Sequence, residues 1–183
     1  MSFKQSEEGF LKKNIITIIG DICASKLNYI ENAIAQLYLK GCPDIYVLIS
    51  SPGGNVQDGL IIYDLLSLYP GKKTAIVYDR ANSTASVILQ ACDERFATLH
   101  SKVLIHNLRC HIKLDVLRDE KKLKDEIQEA EKLQFRITEI YVKKTKKSVE
   151  EVCEQLAKDK RMTVEEAIAF GLLDGIWDKP LPK

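Results

Sequence analysis

Ile45-Tyr46-Val47-Leu48-Ile49-Ser50-Ser51-Pro52-Gly53-Gly54-Asn55-Val56 joins a buried-strand pattern to a helix through a turn of unhindered backbone. Ile45 to Ile49 is short, apolar and rich in β-formers, as expected of a strand covered on both faces. From Val56 to Leu68 the residues Val56, Leu60, Tyr63 and Leu66 recur at helical steps, and Pro70-Gly71 ends the pattern. The glycines therefore stand at a helix N-terminus, where unpaired N–H groups and the positive end of the dipole favour negative charge. A phosphate and a reaction oxyanion are the two candidates for that charge. No lysine followed by Ser or Thr comes after the glycines, and Gly53, Gly54 and Gly59 do not have the G-x-G-x-x-G spacing, so neither nucleotide fingerprint is present.

The same alternation runs through the first half of the chain and predicts an α/β fold with largely parallel strands. Strands are expected at Asn14 to Ile19, Thr74 to Tyr78, Arg95 to Thr98 and Lys102 to His106. Helices are expected from about Leu27 to Leu39, ended by Gly41 and Pro43, and over Ala81 to Leu89, whose first turn is built from small residues. From Asp115 to Lys144 the chain is charge-dense, with Leu123, Ile127, Ala130, Leu133, Ile137 and Tyr141 forming one apolar stripe on a long helix. That stripe packs on its own domain or meets another subunit. Ser148-Val149-Glu150-Glu151 and Thr163-Val164-Glu165-Glu166 fit the capping-box pattern, and Gly171 stops the last helix. Leu172 to Trp177 is expected to be a strand or extended segment.

The 183 residues suffice for one substantial core and are short for two, so residues 1–183 read as a single domain with a short polar tail at 1–13. A net charge of +1 gives no electrostatic footprint for nucleic acid or an anionic membrane. No run has the length and apolarity of a membrane span or signal peptide. Cys23, Cys42, Cys92, Cys110 and Cys153 are odd in number and scattered, without zinc-ligand spacing, which reads as reduced thiols in a cytoplasmic protein with no metal site.

In open parallel sheets, reactive groups gather beyond the carboxyl ends of the strands. That rule brings together the glycine turn, Ser83 at the start of a helix and His106 at the close of a strand. A serine so placed has the dipole's help as its alkoxide forms, and a neutral imidazole can take its proton. Each residue alone has a plainer reading: Ser83 as a helix cap, and His106 as a strand-end histidine. His100, in a polar loop, and His111, beside Cys110, carry only the plainer reading. Taken jointly, the three features are those that acyl transfer requires. The carboxylate that would orient the imidazole is not chosen by physics alone; Asp93, Asp115, Asp119, Asp159 and Asp174 are all candidates by residue type.

These residues resemble the proteolytic subunit of the Clp protease, a serine peptidase family. Ile49 to Gly54 is similar to its glycine turn, and Ala81-Asn82-Ser83-Thr84-Ala85-Ser86 to its nucleophile segment. Arg95 to Thr98 leading into Ser101 to His106 resembles its histidine segment, and Glu165 to Asp174 its C-terminal helix and exit. The resemblance implies a crotonase-like ββα superhelix whose handle helix, about residues 115–144, interleaves two stacked heptameric rings. It implies Ser83 as nucleophile, His106 as general base, Asp159 as orienting acid and the backbone N–H groups of Gly54 and Thr84 as the oxyanion hole. It further implies a homo-oligomeric chamber that takes unfolded polypeptides from a partner AAA+ unfoldase. ATP would be used by that partner, with no cofactor in this chain. Thr84-Ala85 stands where the family usually has Met-Gly, and Asn82 to Ser86 is similar to variants in its phage-encoded branch. Two other classes share the fold: a crotonase-like acyl-CoA hydratase or isomerase, against which Ser83 and His106 speak, and a non-catalytic ring subunit.

Overall fold

The β-branched runs of the first half become strands that pair in parallel throughout. In the computed structural model, which describes residues 3–181, β1 (Ile15–Ile19), β2 (Ile45–Ser51), β3 (Lys73–Asn82), β4 (Glu94–Ala97) and β6 (Gly175–Ile176) lie side by side in that order. β5 (Lys102–Leu104) pairs with the far end of β3, placing Leu104 beside Asn82. Strands that neighbour one another in chain order require crossovers of a dozen or more residues, and helices fill them. The result is the expected parallel α/β winding.

The two sheet faces are sorted by the side-chain period of a strand. Ile16, Ile18, Val47, Ile49, Ala75 and Val77 face the main core, with Ile30, Ile34 and Leu37 of α2 (Ala24–Leu39), Ile62 and Leu66 of α3 (Val56–Leu68) and Ile88 of α4 (Thr84–Leu89). Ile15, Leu48 and Ile76 alternate to the other face, where Phe10, Tyr46 and Trp177 pack against them. Burial on both faces is why these strands read as continuous apolar runs.

The polar segment expected as a tail is instead a helix, α1 (Phe3–Lys12), which packs on β1 and seats Leu11 in the core. Glu7 anchors it by accepting a hydrogen bond from Lys26 Nζ at 2.9 Å. Met1 and Ser2 of the expected tail lie outside the described residues. The long helix expected over Asp115 to Lys144 is divided into α5 (Leu114–Leu117) and α6 (Glu120–Thr145). Asp119 makes the break, because its side chain accepts from Lys122 N at 3.1 Å and starts a new helix there. Of the apolar stripe only Ile137 and Tyr141 are buried, while Ile127 stays exposed, as does Phe135 beside it. Ile137 and Tyr141 therefore pack α6 on its own core, while Ile127 and Phe135 leave apolar surface in solvent.

Both capping boxes form, starting α7 (Val149–Lys158) and α8 (Val164–Phe170), and Gly171 ends α8 at φ +94°. No helix among the described residues is long and apolar enough to cross a membrane. The C-terminal turn is pinned by Arg95, which is buried. Its guanidinium donates to Asp174 through Nε at 3.1 Å and Nη2 at 2.7 Å, and through Nη1 to Gln90 Oε1 at 2.5 Å and Gly171 O at 3.1 Å. Asp174→Ala strands a buried guanidinium, whereas Asp174 itself is partly solvated, so the expected loss is about 2 kcal/mol, below the range for fully buried pairs. Urea denaturation measures it; a midpoint unchanged from the parent would show that the pair does not hold the C-terminal turn.

Candidate active site

β3 runs beyond the expected Tyr78 to Asn82, because β5 supplies a new pairing edge where β4 has ended. Ser83 follows at once, at φ +54° and ψ −129°. Such a conformation costs a non-glycine residue on the order of 1–3 kcal/mol and persists only where its surroundings over-determine it. Here the Ser83 amide donates to Leu104 O at 2.8 Å, and its carbonyl accepts from Ser86 N at 2.8 Å and Ser86 Oγ at 2.6 Å. Since the Ser86 hydroxyl hydrogen is used, Tyr141 OH donates to Ser86 Oγ across 2.7 Å. Burial pushes the Tyr141 phenol well above its usual range, so it remains a donor. Nothing in the sequence separated Tyr141 from the rest of the helical stripe or Ser86 from the small residues around it.

The glycine turn lies directly against Ser83. A Cβ on Gly53 would sit 2.7 Å from both Asn82 O and Ser83 Cβ, and one on Gly54 only 2.2 Å from Ile22 O. Gly53 and Gly54 have φ of +97° and +150°, so glycine is required for conformation as well as space. Ile22 N donates to Gly53 O and Asn55 N to Ile22 O, both at 2.8 Å, which makes a parallel bridge flanking Gly54. In such a bridge the central residue turns its own N–H and C=O to the opposite side. On that side Thr84 Oγ1 donates to Gly54 O at 3.1 Å. Gly54 is thus tied to the residue that follows Ser83.

Ser83, Gly54, Thr84 and His106 all line one cleft of about 360 Å³. His106 lies two residues past the end of β5, not on the strand as expected, because pairing with β3 stops at Leu104. Its Nδ1 lies 2.6 Å from Asn107 O. Against a carbonyl, Nδ1 must carry the hydrogen, which leaves Nε2 with the lone pair a general base needs. Among the described residues His106 is hydrogen-bonded neither to Ser83 nor to Asp159. Asp159 ends α7 in the left-handed region at φ +46° and accepts a hydrogen bond from Arg109. The segment Asn107 to Arg109 therefore engages His106 and Asp159 separately, and Asp159 itself does not line the cleft.

The other acids have structural work. Asp93 accepts from Lys73 N at 2.8 Å and pairs with Lys73 Nζ at 3.0 Å; burial opposes its charge, but these Lys73 contacts outweigh it and hold the carboxyl below its usual range. Asp119 caps α6, Asp174 holds Arg95, and Asp115 is exposed on α5. His100 and His111 do not line the cleft. No group of His, Cys, Asp and Glu among the described residues is arranged to hold a metal ion.

A family model described as Clp protease matches residues 2–180. The chain belongs to the Clp protease family. It is 35% identical over 153 residues to ATP-dependent Clp protease proteolytic subunit 1 of Chlamydia abortus, covering 82% of this chain and 76% of that protein. It is 34% identical, with the same coverage, to the subunit of that name from Chlamydia muridarum, and likewise 34% identical over 154 residues to that of Chlamydia trachomatis serovar D. Membership in the Clp protease family carries the serine-endopeptidase class and the α/β architecture that the sequence resemblance implied.

Gly54→Ala would drive a methyl group into Ile22 O and push the turn away from Ser83. Displacing that turn is expected to slow reaction at Ser83 by about a hundredfold or more. Stopped-flow acylation by an activated ester reads this directly, with the thermal midpoint followed on the same sample; acylation at the parent rate would mean that the turn's position does not matter to Ser83.

Proposed function

We propose that the chain hydrolyses peptide bonds of unfolded polypeptides through an acyl-enzyme, with Ser83 as nucleophile, His106 as general base and Asp159 as orienting acid. The single observation that carries this reading is the strained Ser83, held beside the Gly54 and Thr84 backbones in the cleft that also receives His106. In the reaction Ser83 Oγ bonds to the scissile carbonyl carbon as its proton passes to His106 Nε2. The carbonyl oxygen becomes an oxyanion between the amides of Gly54 and Thr84. Collapse breaks the C–N bond, and the proton on Nε2 goes to the leaving amine. Water, deprotonated by the same nitrogen, then releases the acid product and Ser83.

Asp159 can serve His106 only after Arg109 lets it go and Nδ1 leaves Asn107 O, so a shift of Asn107 to Arg109 precedes full activity. Oligomerisation is the natural trigger. The exposed Ile127 and Phe135 on α6 give a second copy of the chain an apolar surface, in keeping with stacked heptameric rings enclosing the active sites. In that reading a partner AAA+ ATPase delivers the polypeptide and uses ATP, and this chain needs no cofactor. The five free cysteines suit a cytoplasmic setting.

Labelling with an uncharged fluorophosphonate tests the assignment, with peptide mass spectrometry locating the adduct and light scattering reporting size on the same sample. The expected adduct is on Ser83, absent from Ser83→Ala and reduced by about a thousandfold or more in rate for His106→Ala, where the acting base is lost. An assembled sample that takes up no label would remove the peptidase mechanism and leave a scaffold or crotonase-like role.

A further inference from the structure

Three arginines converge on the candidate cleft from separate parts of the chain: Arg80 on β3, Arg109 after β5 and Arg161 after α7. No Asp or Glu lines it among the described residues. Arg109 is neutralised by Asp159. Among the described residues Arg80 meets only the adjacent Asp79, Nε to Oδ2 at 3.5 Å, and that carboxylate also accepts from Ser50 Oγ at 2.9 Å. Arg161 has no ion pair or hydrogen bond among the described residues, although its neighbour Lys160 reaches Glu166 at 3.7 Å. The whole chain carries a net charge of only +1, so this concentration of guanidinium groups is local and is not a consequence of a basic protein.

A cleft lined by one sign of charge with apolar walls focuses its field on whatever enters. Val56, Leu60 and Leu108 supply apolar wall in the same cleft as the arginines and Ser83. Guanidinium groups are planar forks that match carboxylates and cannot lose their charge at any pH a protein tolerates. We infer that this cleft selects acidic polypeptide segments, with Arg161 and Arg80 binding Asp or Glu side chains that flank an apolar residue at the scissile bond. The inference rests on the cleft being the substrate site and adds the chemical class of segment it takes. Arg161 contributes most, since among the described residues no carboxylate competes for it. Discrimination is also repulsive: Lys or Arg at the same substrate positions would meet like charge.

Binding to the full-length Ser83→Ala chain separates this inference from catalysis. The probes are three decapeptides with a neutral fluorophore and one central Leu, carrying Glu, Gln or Lys on both sides of it. Fluorescence anisotropy at low salt is expected to rank them Glu, Gln, Lys in falling affinity, with about fivefold for each guanidinium engaged. The ranking should flatten at about 0.5 M salt, where charges more than a few ångströms apart are screened. In the background of Arg80→Gln with Arg161→Gln the ratio of Glu to Lys affinity should fall towards one. Equal affinities in the parent, tighter binding of the Lys peptide, no binding of the Glu peptide, or a ratio untouched by the double substitution would each overturn the inference. The same peptides offered to the chain with Ser83 intact distinguish the two failures. Selective binding without any cleavage or labelling would remove the peptidase mechanism and keep the acidic cleft; cleavage without charge preference would do the reverse.

Discussion

The backbone of Gly53 and Gly54 lies so close to Ser83 and Ile22 that neither glycine has room for one more carbon atom. That contact is the constraint on which the rest of the site depends. It fixes the distance between the end of β2 and the end of β3, and it requires Thr84 to place its hydroxyl on Gly54 O. It is reached through a shift in the pairing of β2 with β3 between Ile49 and Ser51, which lets β3 run on to Asn82 while the turn folds over it. Two parallel strands thereby deliver the glycine turn and a strained serine to one place.

Around this contact the stabilising interactions fall into two groups. Apolar strands buried on both faces hold the sheet, and they are insensitive to pH. Polar networks hold the ends: Arg95 with Asp174 and Gln90, Lys73 with Asp93, and Tyr141 with Ser86. The last of these reaches from α6 to the turn that carries Ser83. A helix that offers apolar surface at Ile127 and Phe135 is thus tied through Tyr141 to the turn that carries Ser83, so packing on α6 and geometry at Ser83 are mechanically connected.

Much of this was legible in the sequence because local chemistry and the final fold agree. The glycine turn, α3 and both capping boxes depend on residues within a few positions of one another, and their signals are unambiguous. What was not legible depends on partners far along the chain. β3 continues past the expected Tyr78 through Asp79 and Arg80, which are exposed and carry no strand pattern; pairing with β5, and of Ala81 with Ser51 of β2, extends it. α1 has a mixed polar sequence, and Leu11 and Phe10 become core residues only because β1 is there to receive them. The apolar stripe begins only at Leu123, so periodicity says nothing about the break between α5 and α6, which the capping side chain of Asp119 sets. Asp159 could be named only by resemblance, since its partner Arg109 is fifty positions away.

In the proposed mechanism the Gly54 and Thr84 amides flank the reacting atom of Ser83. A crystal structure of the phosphonylated, assembled protein is the decisive measurement. A phosphoryl oxygen is expected within hydrogen-bond distance of both amides, with His106 turned to Asp159 and Arg109 released. A phosphoryl oxygen pointing into solvent, with the glycine turn unengaged, would contradict it.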